Sequence, residues 1–172
     1  IRPNLDLKGA VDGVNIADVP AFWPKAGKPE DFRGTLSGPV TLSGTWEKPK
    51  VRGQLKLSGG QLYGFSADEA QAELTVDSEN LRLEKVSGKT GEGLFEGNLE
   101  MSLSKSPAVV KGTLSARGIP VEAFRSRFPE LEGARGKVDV QKVSFSGTTG
   151  NLRLQGRLES PALEFKGDTL ER

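Results

Sequence analysis

The 172-residue sequence contains no cysteine and no histidine. Without cysteine there are no disulfides, thiolate metal sites or cysteine nucleophiles. Without histidine, the commonest general base and the commonest metal ligand are missing too. Most hydrolase and metalloenzyme chemistries fail on these two absences, so we expect no enzyme, no catalytic residues, no metal and no cofactor. Charge of one sign is also lacking: 24 Lys and Arg stand against 23 Asp and Glu, a net +1. That balance supplies no global field to gather phosphates, which argues against nucleic acid as a partner. Long apolar runs are missing as well. Runs such as Ala108-Val109-Val110 fall far short of the ~20 residues of a membrane span. The chain opens Ile1-Arg2-Pro3, without initiator methionine or signal peptide. We therefore expect residues 1–172 to be one fragment of a longer protein, with targeting signals elsewhere.

Glycine, by contrast, is abundant: 22 residues, roughly 13% against a usual ~7%. Interior glycine costs a helix about 1 kcal/mol per residue, which excludes a plain helical bundle. Leu, Ile, Val and Phe still make up about a quarter of the chain, above the range of disordered sequences.

From Arg33 onward the dominant period is two. Leu36, Gly38, Val40 and Leu42 share one parity, as do Val51, Gly53, Leu55 and Leu57. Phe95, Gly97, Leu99, Met101 and Leu103 oppose Glu96, Asn98, Glu100 and Ser102. Val110, Gly112 and Leu114 oppose Lys111 and Thr113, and Leu152, Leu154, Gly156 and Leu158 oppose Arg153, Gln155 and Arg157. Shorter runs occur at Leu62–Phe65, Ala70–Val76, Leu81–Val86, Val138–Phe145 (with Val138 and Val140 on the apolar side) and Leu163–Phe165. Near Gln141-Lys142 the parity slips by one, as a β-bulge requires. This spacing predicts about eleven strands with one apolar and one polar face. The links between them, such as Glu47-Lys48-Pro49 and Ser58-Gly59-Gly60, are short and polar, which predicts a long antiparallel meander.

Two segments break the alternation. Gly13–Pro24 and Gly118–Pro129 each place apolar residues at three- and four-residue spacing, with proline at the stop. Each predicts one or two helical turns laying a stripe on the apolar face: Ile16, Val19 and Trp23 in the first, Val121, Phe124 and Phe128 in the second. The two segments match at an offset of 105, Arg33-Gly34 matches Arg135-Gly136, and Val51–Leu55 matches Leu154–Leu158 at an offset of 103. The chain thus reads as repeat units at approximately 13–117 and 118–172, the second incomplete, stacked to bury one continuous apolar surface.

Five glycines sit on the apolar parity: Gly38, Gly53, Gly97, Gly112 and Gly156. Strand glycines mark bends or close approach of another body. Either they curve a sheet that closes as a sandwich or barrel, or they leave a lane in an open trough floored by Leu, Val and Phe. The short helical segments are too small to cover so many strands, which favours the trough.

Other motifs fail. Ser87-Gly88-Lys89-Thr90 has the ending of a phosphate-binding loop, but Leu83 stands where the first glycine is required. Gly91, Gly93 and Gly97 have the wrong spacing for a dinucleotide site. Glu96 and Glu100 fall on the polar strand face and read as solvated charges, as do Lys50, Arg52, Lys56, Lys111, Arg153 and Arg157.

The phrases Leu36–Thr45, Pro49–Leu57 and Gly91–Leu99 resemble the degenerate repeats of TamB-type proteins and their AsmA-like relatives, and the likeness extends over most of 33–165. The resemblance implies a taco-shaped β-groove with a hydrophobic interior in a periplasmic protein anchored in the inner membrane outside this fragment. It implies phospholipid acyl chains as the cargo, carried toward the outer membrane, and a role in outer-membrane biogenesis. No single functional residue carries over, because function in that family lies in the groove surface. The alternative is a scaffold that pairs its strand edges with an outer-membrane assembly protein or its client strands.

Overall fold

The alternation runs through nearly the whole chain, and the chain folds accordingly into one sheet. The computed structural model describes residues 4–18, 32–62, 65–124, 129–148, 151–165 and 168–170. Ten strands follow in order: β1 (Asn4–Asn15), β2 (Phe32–Thr45), β3 (Pro49–Leu62), β4 (Phe65–Val76), β5 (Asn80–Thr90), β6 (Gly93–Ser102), β7 (Val109–Pro120), β8 (Ala134–Thr148), β9 (Asn151–Phe165) and β10 (Asp168–Leu170). Each pairs antiparallel with the next, so spatial order equals sequence order. The meander is open: among the described residues β1 pairs only with β2, and β10 only with β9.

Among the described residues the strands number ten, against about eleven expected. The runs expected as separate strands at Leu62–Phe65 and Leu163–Phe165 are the end of β3 with the start of β4, and the end of β9. In the other direction, Asn4–Asn15 forms a strand that lies before Arg33, where the alternation begins. The bulge expected near Gln141-Lys142 is present: Lys142 has φ 45°, and the β8–β9 register slips between Gln141 and Ser144. A second bulge at Lys85 (φ 51°) was not expected; it carries the apolar parity from Leu83 to Val86.

The two expected helical segments contain 3-10 turns, at Ile16–Asp18 and at Val121–Phe124, the latter followed by a further turn at Pro129–Leu131. No α-helix occurs among the described residues. Ile16 and Val121 are buried; Val19, Trp23 and Phe128 lie outside the described residues, as does the side chain of Phe124. The first and second segments share backbone geometry. Gly13 and Gly118 have φ of 64° and 63°. The β1–β2 register slips between Val11 and Val14, and the β7–β8 register between Ala116 and Ile119, again 105 residues on.

The best-buried part of the apolar face lies beside the second turn. Val121 packs with Ala134, Val138 and Val140. Ile119, Ala67 and Phe95 form a second cluster, with Ala123 against it. The turn Val121–Phe124 contacts β4, β7 and β8 together. In a flat sheet β4 and β8 would be about 19 Å apart, so at this end the sheet bends around its apolar side.

Candidate functional site

The register lines up apolar side chains across the whole sheet. Leu7, Leu42, Val51, Val76, Leu81, Met101, Val110, Gly147 and Leu152 face one another in turn from β1 to β9. Gly9, Val40, Gly53, Leu74, Leu83, Leu99, Gly112, Phe145 and Leu154 form the next row. Leu55, Gly97, Leu114 and Val143 belong to a third. A fourth runs Val14, Leu36, Leu57, Ala70, Gly88, Phe95, Ala116 and Val140 to the backbone of Leu158. Strand alternation puts all four rows on one face.

The candidate residues do not share one environment. Leu55, Phe95, Val110, Val138 and Val140 are buried. Leu36, Val40, Leu42, Val51, Leu57, Leu99, Met101 and Leu114 are half-buried, so no second layer seals β2 to β7 among the described residues. Leu154 is 70% exposed, because β10 pairs with β9 only at Leu163–Phe165 and leaves this stretch at an edge. Leu103 lies past the end of β6, in a turn where its N–H donates to the Glu79 carbonyl at 2.7 Å.

Three of the five glycines do not leave the empty space that a continuous lane requires. They do not fall in one row, and a larger side chain leans over Gly53, Gly112 and Gly156, whereas the atoms close to Gly38 and Gly97 are backbone. A methyl group on Gly112 would stand 2.5 Å from the Phe145 ring, one on Gly53 would stand 3.0 Å from Val40 Cγ1, and one on Gly156 would meet Val143. At these three positions the glycine admits a neighbouring side chain, which keeps the face continuous there.

On the opposite face the charges pair across strands. Glu100 accepts Lys111 at 3.2 Å and Arg82 at 3.7 Å, Glu69 holds Lys89 at 3.2 Å, and Glu73 holds Lys85 at 2.8 Å. Such exposed pairs are each worth tenths of a kcal/mol. Lys85 is raised above the ordinary lysine value by its hydrogen bond to Glu73. Glu92 is lowered by Lys137, 2.6 Å away and 45 residues on. Asp77 is lowered by accepting the N–H groups of Glu79 and Asn80 in the β4–β5 turn.

A cavity of about 1070 Å³ crosses β3 to β8. Its walls come as triplets, such as Lys56-Leu57-Ser58, Glu69-Ala70-Gln71 and Ser115-Ala116-Arg117. The middle residue of each belongs to the apolar rows and the flanking two to the polar face. The cavity is therefore a lane on the polar side, floored by backbone. Sequence reasoning missed it. The available signal was Leu94, an apolar residue on the polar parity and 63% exposed. Lys89 and Glu69 on its rim neutralise each other. Among the described residues no group of three or more acidic side chains is placed to hold a metal ion, and no helix is long and apolar enough to cross a membrane.

Comparison with protein-family models, with curated proteins and with solved structures finds no match.

Proposed function

We propose that this chain is a section of a hydrophobic β-groove that shields phospholipid acyl chains while lipids cross the aqueous space between the inner and outer membranes. The supporting observation is the register: four rows of apolar residues on one face, most of them only half-buried. From the first row to the fourth is six residues along a strand, or about 20 Å, against about 15 Å for the acyl half of a ~30 Å bilayer core. One acyl chain laid along the strands fits that width. Each methylene transferred from water contributes about 0.8 kcal/mol, so ten give roughly 8 kcal/mol when fully enclosed, and about half that against an open face. This range permits capture and release without hydrogen bonds or covalent chemistry. On this reading the groove works in the periplasm, and its contribution to outer-membrane biogenesis is lipid delivery.

Photo-crosslinking tests the reading. A benzophenone side chain at Leu99 or Leu42 should label phospholipid, whereas one at Glu96 or Arg52 on the polar face should not. Equal labelling from both faces, or none from the apolar one, would overturn it.

A further inference from the structure

The lane on the polar face has a regular construction that lipid shielding does not use. Its two walls are cross-strand rows fixed by register. Lys56, Gln71, Ser87, Glu96 and Ser115 stand opposite one another in turn from β3 to β7. Ser58, Glu69, Lys89, Leu94 and Arg117 do the same, two residues away on each strand. Gln141 and Asp139 carry the lining on to β8. Rows two residues apart stand about 7 Å from each other, and six strands span about 24 Å, so the lane takes one chain of ligand lying across the strands. The backbone beneath is paired within the sheet, which leaves the side chains to do the binding.

Those side chains set the chemistry of the occupant. Five of the six strands place an uncharged hydroxyl or amide in the walls: Ser58, Gln71, Ser87, Ser115 and Gln141. β6 contributes Leu94 instead, 63% exposed among polar neighbours. The lining charges balance, three cations against three carboxylates. Glu69 and Lys89 pair at 3.2 Å, and Asp139 accepts the Gly118 N–H at 2.6 Å. A ligand of one sign therefore meets no net field along the lane. An apolar one would strip water from the hydroxyls and amides without replacing their hydrogen bonds. The ligand that fits is long, uncharged and able to donate and accept at each strand step of about 4.8 Å. An extended β-1,4-linked sugar chain has these properties. Its repeat is close to one strand spacing, its edges carry hydroxyls, and its ring faces carry the C–H groups that Leu94 can cover.

We propose that the polar lane binds an extended, uncharged β-1,4-linked glycan, about one sugar per strand, with Gln71, Ser87 and Ser115 bonding its hydroxyls and Leu94 packing on a ring face. Each hydrogen bond replaces one made to water and adds little alone, so affinity builds with the length of the chain. The site does not depend on acyl-chain binding, because it lies on the face opposite the four apolar rows.

The test titrates the whole chain with chitohexaose and follows side-chain NMR signals. The Gln71 amide and the Leu94 methyls should shift saturably, while the methyls of Leu42 and Leu99 on the apolar face stay in place. Chitobiose, which reaches only two strands, should bind at least about tenfold more weakly. The variant S87V/S115V keeps the strands and removes two hydroxyls, and should weaken chitohexaose binding about tenfold. Leu94→Asn, at an exposed position, should weaken it about fivefold through the lost apolar contact. Absence of binding, S87V/S115V binding as the parent does, or movement of the Leu42 and Leu99 methyls would each overturn the proposal. So would tighter binding of the deacetylated, cationic hexamer, or equal binding of a Gly-Ser peptide of the same length. None of these outcomes alters phospholipid crosslinking from Leu99, so the two readings fall separately.

Discussion

Phe95 of β6 lies across Gly88 of β5, so that a methyl group added to Gly88 would stand 2.5 Å from Phe95 Cζ and equally close to the Glu69 carbonyl oxygen. The ring thereby reaches the buried cluster it shares with Ala67 and Ile119. Gly88→Val is expected to destabilise the sheet by about 1–3 kcal/mol, the usual cost of overpacking. Phe95→Ala should cost about 3 kcal/mol through the cavity it leaves. Urea unfolding monitored by circular dichroism measures both. A Gly88→Val protein as stable as the parent would show that the ring does not occupy that space.

The paired glycines that precede the 3-10 turns offer a cleaner backbone test. Around Gly13 the nearest atom to an added methyl is Thr35 Cγ2 at 3.9 Å, and around Gly118 it is Gly93 Cα at 3.9 Å. Space is ample at both, so only the left-handed conformation resists a side chain. Gly13→Ala and Gly118→Ala should each cost about 1–2 kcal/mol, and the asparagine variants clearly less, since asparagine tolerates that region. Similar losses for Ala and Asn would remove the conformational explanation.

Much of this architecture was legible in the chain, because a period of two is a local property. The runs Val51–Leu57, Phe95–Met101 and Val110–Leu114 became strands with the expected face, and the slip at Gln141-Lys142 became a bulge. The bulge at Lys85 is less legible, because the run Leu81–Val86 looks unbroken unless the change of parity between Leu83 and Val86 is taken as a kink. The filling of Gly112 by Phe145 was not legible at all. It depends on which residues sit opposite each other on neighbouring strands, and alternation within one strand is silent on that. The polar lane was hidden for the same reason, since Lys56, Gln71, Ser87, Glu96 and Ser115 become one rim only through register.

The ion pair between Glu92, in the β5–β6 turn, and Lys137 on β8 gives a pH dependence of known sign. Lys137 holds Glu92 below the ordinary carboxylate value. A group depressed in the folded state stabilises above its unfolded value and loses that contribution as pH falls through the folded one. Lys137→Met should therefore raise the Glu92 titration midpoint, read by carboxyl-carbon NMR. The small difference in unfolding midpoint between variant and parent should be present at neutral pH and vanish well below the carboxylate range. Asp77, also depressed, titrates alike in both proteins and cancels. A Glu92 midpoint unchanged by the substitution would mean that the pair does not form in solution.

If the apolar face captures lipid as proposed, charges on it should separate stability from capture, because burial along it is uneven. Leu99 and Leu114 are half-buried, and an arginine at either can lay its aliphatic stem on the sheet while its guanidinium reaches water. The pair Leu99→Arg with Leu114→Arg should lower stability by only about 1–2 kcal/mol. Phe95 is 8% exposed and packed among Ala67, Ile119 and Gly88. Phe95→Arg forces a charge into that cluster and should cost more than about 3 kcal/mol. Capture of acyl chains should follow the opposite ranking. Two guanidinium groups in the middle rows interrupt the apolar strip where a lipid tail would lie, so the double variant should lose most phospholipid crosslinking while remaining folded. A folded double variant that captures phospholipid as well as the parent would place the lipid elsewhere, and the four rows would then be only the inner side of a sheet.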